Sequence, residues 1–310
     1  MKKKNAFMLM VAALIWGVAF VAQSVGMEYV GPFTFNGVRC FVGAVALLPV
    51  IWFFDRKKKL EEKSGVQENL QETQVESRKT LLMGGLCCGF FLFLASSLQQ
   101  IGIQYTTTGK AGFVTAFYIV IVPVLGIFLH KKVSGNVWIA VVLALAGLYF
   151  LCMTESFHIA KGDIYIFACA IVFSIQILMV DHFAPKVDGV KLSCLEFFVC
   201  GVLSLFFMFT LENPTLSGIL TAGIPILYAG VLSCGVAYTF QILGQKDSNP
   251  AIASLIMSLE STFSVLAGWI LLHETLSTRE AIGCIFMFGA ILLAQLPEKK
   301  KVEKCSGCEV

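Results

Sequence analysis

The sequence predicts an all-α membrane protein with ten transmembrane helices, arranged as two inverted repeats of five helices. The first observation behind this prediction is composition, since 57% of the 310 residues are hydrophobic and only 14% are charged. With a mean hydropathy of +0.81, the chain lies outside the range of ordinary soluble domains. The other two observations are ten long apolar runs and a second half that repeats the first.

Each predicted span is an apolar run of membrane-crossing length, because a helix needs about 20 residues to traverse roughly 30 Å of hydrocarbon. Short polar segments separate the runs. The predicted spans are 5–25, 32–54, 80–104, 110–129 and 136–153 in the first half, and 164–180, 193–211, 222–243, 250–272 and 278–296 in the second. Within the fourth span, Pro123 removes a backbone hydrogen bond and predicts a bend.

The internal repeat aligns in successive stretches, the first of them without a gap. Residues 11–46 lie over 168–203 at an offset of 157, and the offset then becomes 142 or 143. The polar pairs that result are Arg39 with Glu196, Gln99 with Gln241, and the two polar-capable residues Tyr118 and Glu260. Because each repeat has an odd number of spans, the second repeat is inverted, an arrangement typical of transporters whose central site faces either side of the bilayer.

The predicted domains follow from this repeat. Residues 1–154 form the first repeat, which includes a cytoplasmic loop at 55–79, residues 155–297 form the second, and 298–310 are a cytoplasmic tail. The polar composition of this loop predicts a solvated linker; the alternative is a short surface helix that binds a partner. Cys305 and Cys308 in the tail form a single C-x-x-C, which is weak evidence for a metal site, so no metal and no cofactor are expected.

The distribution of positive charge predicts the orientation. With the N-terminus in the cytoplasm, 19 of the 23 Lys and Arg residues fall on that side, as the positive-inside rule requires. Both termini are then cytoplasmic. The first span has a repeat partner at 168–182, so we expect it to be a retained helix and not a cleaved signal. No basic patch interleaved with aromatic residues points to nucleic acid.

Three charged residues within the spans need a physical reason, because a charge in hydrocarbon costs at least ~2.5–3.5 kcal/mol on insertion scales. Glu260 lies about ten residues into the ninth span, hence roughly 15 Å deep. It is predicted to exchange a proton, to hold a cationic group or to fix helix packing. Arg39 is predicted to bind substrate, form a structural ion pair or contact an outer gate, whereas Glu196 is expected at the cytoplasmic interface.

Polar faces of the helices supply the remaining candidates. Spacings of three, four and seven residues place Gln100 on one face of the third span, and Tyr238 and Gln241 on one face of the eighth. The full set of predicted substrate-binding residues is Trp16, Gln23, Arg39, Gln100, Tyr118, Tyr238, Gln241 and Glu260. For the amides, hydrogen bonding between helices is an equally good explanation, worth about 0.6 kcal/mol on average.

Several segments resemble the EamA-like family of the drug/metabolite transporter superfamily, of the ten-helix type. Residues 13–20, ALIWGVAF, are similar to its opening W-G-x-x-F pattern, and Pro32 with Arg39 resembles its P-x-x-x-x-x-x-R signature. Residues 109–123 are similar to its fourth helix and 273–289 to its second-repeat ending. The chain departs from the pattern where His130-Lys131-Lys132 replaces an acidic ending and where Ser261 replaces a common proline.

The resemblance implies export or exchange of small polar metabolites or drugs, with a bacterial inner (plasma) membrane as the usual setting. No P-loop is present, so an ion gradient, with a proton or cation as coupling ion, or the substrate's own gradient is expected to drive transport. A membrane-embedded enzyme is the alternative, but no H-E-x-x-H or G-x-S-x-G occurs, and no enzyme activity is expected. A receptor or channel is a third class. The expected partners are a small-molecule substrate and the lipid bilayer; oligomeric state is left open.

Overall fold

The structure, a computed structural model, describes residues 1–63, 78–106, 108–131, 133–152, 161–271, 277–294 and 296. Every regular element within these ranges is a helix. The helices of the first half are α1 (Lys3–Gly26), α2 (Pro32–Lys63), α3 (Arg78–Ile103), α4 (Thr108–Thr115), α5 (Tyr118–Phe128) and α6 (Gly135–Cys152). The cysteine pair predicted in the tail lies outside the described residues.

The second half follows a similar order. Its helices are α7 (Lys161–Phe183), α8 (Gly189–Leu211), α9 (Leu216–Thr221), α10 (Gly223–Leu227), a π-helical segment (Tyr228–Tyr238), α11 (Thr239–Gln245), α12 (Pro250–Met257), α13 (Leu259–Leu271) and α14 (Thr278–Ala294). The π-helical segment runs directly into α11, and α10 leads into it, so together they make one long apolar stretch.

Eight segments of the described chain are long and apolar enough to cross a membrane. They are Lys3–Gly26, Pro32–Lys57, Arg78–Ile103, Ala111–Phe128, Lys161–Phe183, Gly189–Leu211, Gly223–Gln245 and Pro250–Ala267. The fifth predicted span contains a shorter apolar helix, Gly135–Phe150, and the tenth corresponds to the 17-residue α14. Large apolar side chains cover the outer faces, with Phe128, Phe209 and Ile224 more than 70% exposed. A protein with such a surface needs lipid around it, so this is a multi-pass membrane protein.

Two connections differ from the prediction. The loop predicted to begin at Asp55 is helical at its start, because α2 continues to Lys63; residues 64–77 lie outside the described ranges. The connection predicted between residues 211 and 222 contains the short helix α9. Pro123, where a bend is predicted, lies inside α5, and a turn that was not predicted lies before it, at Ala116 and Phe117.

The helices of the two halves pack against each other throughout. The α2 helix runs along α8, α6 along α14, α1 along α13 and the π-helical segment, and α7 along α3, α4 and α5. Glycines permit the closest approaches. At Gly17 of α1, a Cβ atom would lie only 2.7 Å from the Cβ of Phe263 and 2.8 Å from the carbonyl oxygen of Glu260.

Polar ties hold α2 and α8 together at both ends. At one end, the Glu212 carboxylate, which follows α8, accepts hydrogen bonds from the backbone N–H groups of Phe33 and Thr34, each at 2.8 Å, and from the Thr34 hydroxyl at 2.6 Å. It thereby caps the start of α2, where backbone donors lack partners. At the other end, Lys191 Nζ lies 2.9 Å from Asp55 Oδ1.

Candidate functional site

A cavity lies where the two halves meet, and its wall combines aromatic, amide and charged side chains. Its volume is about 50 Å³, room for a few water molecules at ~10–15 Å³ each. The lining residues are Trp16, Phe20, Gln23, Arg39, Gln99, Thr115, Tyr118, Phe173, Gln176, Ile177, Ser233, Tyr238, Gln241, Met257 and Glu260. Polar groups converging on a mostly buried cavity are the usual features of a ligand site.

Two interrupted helices meet at this cavity. Between α4 and α5, the backbone turns at Ala116 and Phe117, where the N–H of Phe117 bonds to Val114 O instead of continuing the helical ladder. Between α12 and α13, the helix is interrupted at Ser258. The backbone stays hydrogen-bonded through both turns, partly by bonds to the third residue back, and such a tightening within a helix often marks a hinge or local strain. Both turns lie next to residues that line the cavity.

The interruptions bring Tyr118 and Glu260 together. Tyr118 is the first residue of α5 and Glu260 the second of α13, and Tyr118 Oη donates a hydrogen bond to Glu260 Oε1 at 3.1 Å. Both side chains are buried. Next to Glu260, the hydroxyl of Ser261 donates to Gly112 O of α4 at 3.3 Å, so the serine that replaces the family's common proline ties the two interrupted helices together.

Arg39 brings a positive charge to the same cavity. It is only 4% exposed, and its guanidinium lies 5.6 Å from the centre of the Phe35 ring. No carboxylate in the described part of the chain forms an ion pair with it, and its Nε atom is buried without a hydrogen-bond partner there. A buried cation needs compensation, and an anionic group of a ligand in the cavity would supply it.

An aromatic wall closes one side of the cavity. The rings of Trp16 and Tyr238 meet edge to face with centroids 4.8 Å apart, and Tyr238 also meets Phe197 at 5.6 Å. The indole Nε1 of Trp16 and the Oε1 of Gln23 are buried without hydrogen-bond partners among the described residues. Buried polar atoms without partners cost free energy, and a polar ligand would offset that cost.

Amides form the remaining polar wall. Gln99 Nε2 donates to Thr115 Oγ1 at 3.4 Å. Gln241 Nε2 donates to Gln176 Oε1 at 3.3 Å, and Gln176 Nε2 donates to Glu196 Oε1 at 2.7 Å. Glu196 is fully buried within the protein; its predicted level near the cytoplasmic interface stays a prediction. This side chain lies behind the cavity wall, joined to it through Gln176.

Seven of the eight residues predicted for the site line this cavity, and Gln100 does not. Gln100 is buried, and its amide atoms have no partner in the described part of the chain. Its neighbour Gln99 lines the cavity instead. The lining also includes Gln176 and Ser233, which were not in the predicted set. The signal for Gln99 was present, because the repeat alignment pairs it with Gln241.

The similarity to known proteins extends over almost the whole chain. A model of the EamA-like transporter family matches residues 3–153 and again 160–296. An uncharacterized transporter of Archaeoglobus fulgidus is 28% identical over 290 residues, covering 93% of this chain and 84% of its own. The uncharacterized transporter YoaV of Bacillus subtilis is 26% identical over 288 residues, covering 90% and 92%.

A solved structure shares the fold. It is a crystal structure of a protein with 16% sequence identity, and it superposes with a TM-score of 0.75 over 95% of this chain and 97% of the other.

Proposed function

The chain belongs to the EamA-like transporter family, and we propose that it is a secondary active transporter that exports or exchanges small polar metabolites or drugs. Transport proceeds by alternating access around the central cavity. The transporter is not an enzyme, and it resides in a bacterial inner membrane with both termini in the cytoplasm. Ten spans, in two inverted repeats of five helices each, carry the cycle.

One observation carries this proposal: residues that the repeat relates line the same cavity. At an offset of 157 or 142, five pairs of lining residues correspond between the halves. They are Trp16 with Phe173, Phe20 with Ile177, Gln99 with Gln241, Thr115 with Met257, and Tyr118 with Glu260. The interruptions at Ala116 and Ser258 are also related by 142. Such correspondence is expected of a site built where two repeats meet.

The packing of the helices supports inverted repeats. Against α1 lie α12, α13, the π-helical segment and α11, and against α7 lie α4, α5 and α3. In the repeat, α1 corresponds to α7, α12 to α4, α13 to α5, and the π-helical segment with α11 to α3. The neighbours of α1 therefore correspond to the neighbours of α7, and the pairs α2 with α8 and α6 with α14 correspond to themselves. The two shorter candidates, α6 and α14, contact each other along their lengths, which supports counting both as spans.

Polar ties link the helix ends on the side that is proposed to be cytoplasmic. The side predicted to be cytoplasmic carries the pair of Lys131 with Asp181 and the pair of Lys191 with Asp55. On the same side, Asn5 Nδ2 donates to Lys246 O at 2.8 Å and to the Ser248 hydroxyl at 3.0 Å. These ties would hold the cytoplasmic ends of the helices together in the present conformation.

The charges in the cavity favour a small polar substrate that carries charge. A guanidinium at Arg39 and a carboxyl at Glu260 face the same cavity, so a solute with an anionic group, a cationic group or both would find a partner. Because the cavity holds only a few waters in this conformation, a metabolite requires it to widen. That widening is the conformational step that alternating access supplies.

Exchange in reconstituted vesicles tests the proposal. Proteoliposomes are loaded with a defined mixture of amino acids, nucleosides, sugar derivatives and cationic drugs, and mass spectrometry follows which solutes leave. A transporter releases a subset faster than protein-free liposomes do, and the same solute outside stimulates that release. Solutes of changed mass would indicate an enzyme, and release without stimulation a channel. No release above the protein-free control would overturn the proposal.

A further inference from the structure

Glu196 is a buried acid that the cavity lining does not include. Its side chain is fully buried in α8, and no cation pairs with it among the described residues. The lysine nearest to it on the same helix, Lys191, pairs with Asp55. A carboxylate in this position needs a proton or strong hydrogen bonds to compensate its charge.

A chain of amides connects Glu196 to the cavity. Gln176 Nε2 donates to Glu196 Oε1 at 2.7 Å, and Gln241 Nε2 donates to Gln176 Oε1 at 3.3 Å. Gln241 lines the cavity, is 2% exposed, and its Oε1 has no partner in the described part of the chain. The chain therefore ends in an unpaired acceptor at the cavity.

The protonation state of Glu196 determines which group donates and which accepts in each hydrogen bond of this series of amides. An ionised carboxylate only accepts hydrogen bonds, so Gln176 presents its NH₂ group to Glu196 and its oxygen to Gln241. A protonated carboxyl has an O–H to donate. Glu196 Oε2 has no hydrogen-bond partner in the described part of the protein, so an O–H on that atom would have no acceptor. An O–H on Oε1 finds an acceptor if Gln176 turns its amide oxygen towards it. Gln176 then donates to Gln241 Oε1, and Gln241 turns its NH₂ group to the cavity.

We propose that Glu196, Gln176 and Gln241 form a relay that changes the cavity wall from hydrogen-bond acceptor to donor when Glu196 is protonated. One proton binds Glu196 Oε1, two amides rotate by half a turn, and no covalent bond of the amides changes. Glu196 is a positioning residue, because it acts on a ligand through Gln241. The relay rests on the proposed function only in assuming that the cavity receives the substrate. In a transporter, it would make the preference for substrates with hydrogen-bond donor or acceptor groups depend on pH.

Other titratable groups face Glu196 from the surrounding helices. Cys88 of α3 and Cys234 and Tyr238 of the π-helical segment interact with it electrostatically. Arg39 of α2 acts on the same Cys234 and Tyr238. Glu196 is the one carboxyl group in this set, so protonation of a carboxyl at this place can be assigned to it.

Amide NMR of the full chain tests the relay without any substrate. The protein is labelled with ¹⁵N in its glutamine side chains and held in lipid nanodiscs, and resonances of Gln176 and Gln241 are assigned from the Gln→Leu variants. Between about pH 5.5 and 8, a range that brackets a buried carboxyl, we expect the Gln241 side-chain amide to shift with one midpoint. We expect the shift to persist in Glu260→Gln and to be lost in Glu196→Gln.

The second variant keeps the test decisive if Glu196→Gln does not fold. In Gln176→Leu, the infrared band of the Glu196 carboxyl should still respond to pH, while the Gln241 amide should no longer follow it. A Gln241 amide that is independent of pH in the unaltered protein would overturn the relay, and so would an unchanged titration in Glu196→Gln or Gln176→Leu. Failure of the transport assay alone would leave this readout intact, so the two proposals fail separately.

Discussion

Replacing Glu260 with glutamine removes the ionisable carboxyl group of the cavity and keeps its shape. Glu260 is buried beside the interruption between α12 and α13, and it accepts a hydrogen bond from Tyr118 at 3.1 Å. Glutamine retains an oxygen that can accept from Tyr118, so insertion and folding should be preserved. What the variant loses is the ability to release a proton and to hold a cationic group.

The size of the effect follows from the burial of this carboxyl. Hydrogen bonds to charged groups contribute about 1.5–3 kcal/mol, and about 1.4 kcal/mol corresponds to a factor of ten. We therefore expect Glu260→Gln to lower transport by roughly 10- to 100-fold, or to flatten its pH dependence if the carboxyl carries the coupling proton. Tyr118→Phe should cost less, about 1 kcal/mol, and the two changes should combine non-additively because the residues are in contact.

Solute exchange in proteoliposomes measures this effect between about pH 5.5 and 8, a range that brackets a buried carboxyl. The matched control is Glu28→Gln, which neutralises an exposed acid outside the central cavity and should leave exchange unchanged. Size-exclusion profiles establish that both variants fold. If Glu260→Gln exchanged the native substrate at the unaltered rate over the whole range, Glu260 would be a packing residue and the charge argument would be refuted.

Three further predictions concern the charge of Arg39, the packing of α1 against α13, and the face of α3 that lines the cavity. Arg39→Gln should reduce exchange of solutes with an anionic group by roughly 10- to 100-fold, on the same energy of about 1.5–3 kcal/mol for a charged hydrogen bond, and leave solutes without one nearly unaffected; equal losses for both would contradict anion binding. Gly17→Val places its Cβ 2.7 Å from Phe263 and 2.8 Å from a backbone carbonyl of α13, so overpacking should destabilise the fold by about 1–3 kcal/mol, measured as a lower Tm by tryptophan fluorescence against Gly223→Val, where nothing lies within 4 Å. Gln99→Leu should impair exchange and Gln100→Leu should not, since Gln100 lies outside the lining; the opposite order would show that the assigned helix face is wrong.

Hydropathy predicted most of the helices because a span must be long and apolar whatever surrounds it. The interruptions at Ala116 and Ser258 left no such trace, since neither turn carries a glycine or a proline. Pro123 was the visible breaker, yet it is accommodated inside α5. Where a helix breaks depends on which backbone groups the neighbouring helices bury, and a single sequence does not contain that information.

The site was predictable to the extent that polar groups are costly in a membrane. Trp16, Arg39 and Glu260 followed from that cost. Helical spacing singled out the face of α3 that carries Gln100, whereas its neighbour Gln99, which does not share that face, lines the cavity. The hydrogen bond from Gln176 to Glu196 was not predictable, because it depends on how the two helices that carry these residues pack.

The ties at the two ends of α2 and α8 occupy equivalent positions of the repeat but differ in the kind of bond. An offset of 157 relates Asp55 to Glu212 and Lys191 to Thr34. Here one acid is bound by a helix start and the other by a half-exposed ammonium group. An exposed ion pair contributes about 0–1 kcal/mol and weakens with salt. Rising ionic strength would thus loosen α2 from α8 first at the Lys191 end, which makes the two faces of the membrane respond unequally to the same electrolyte.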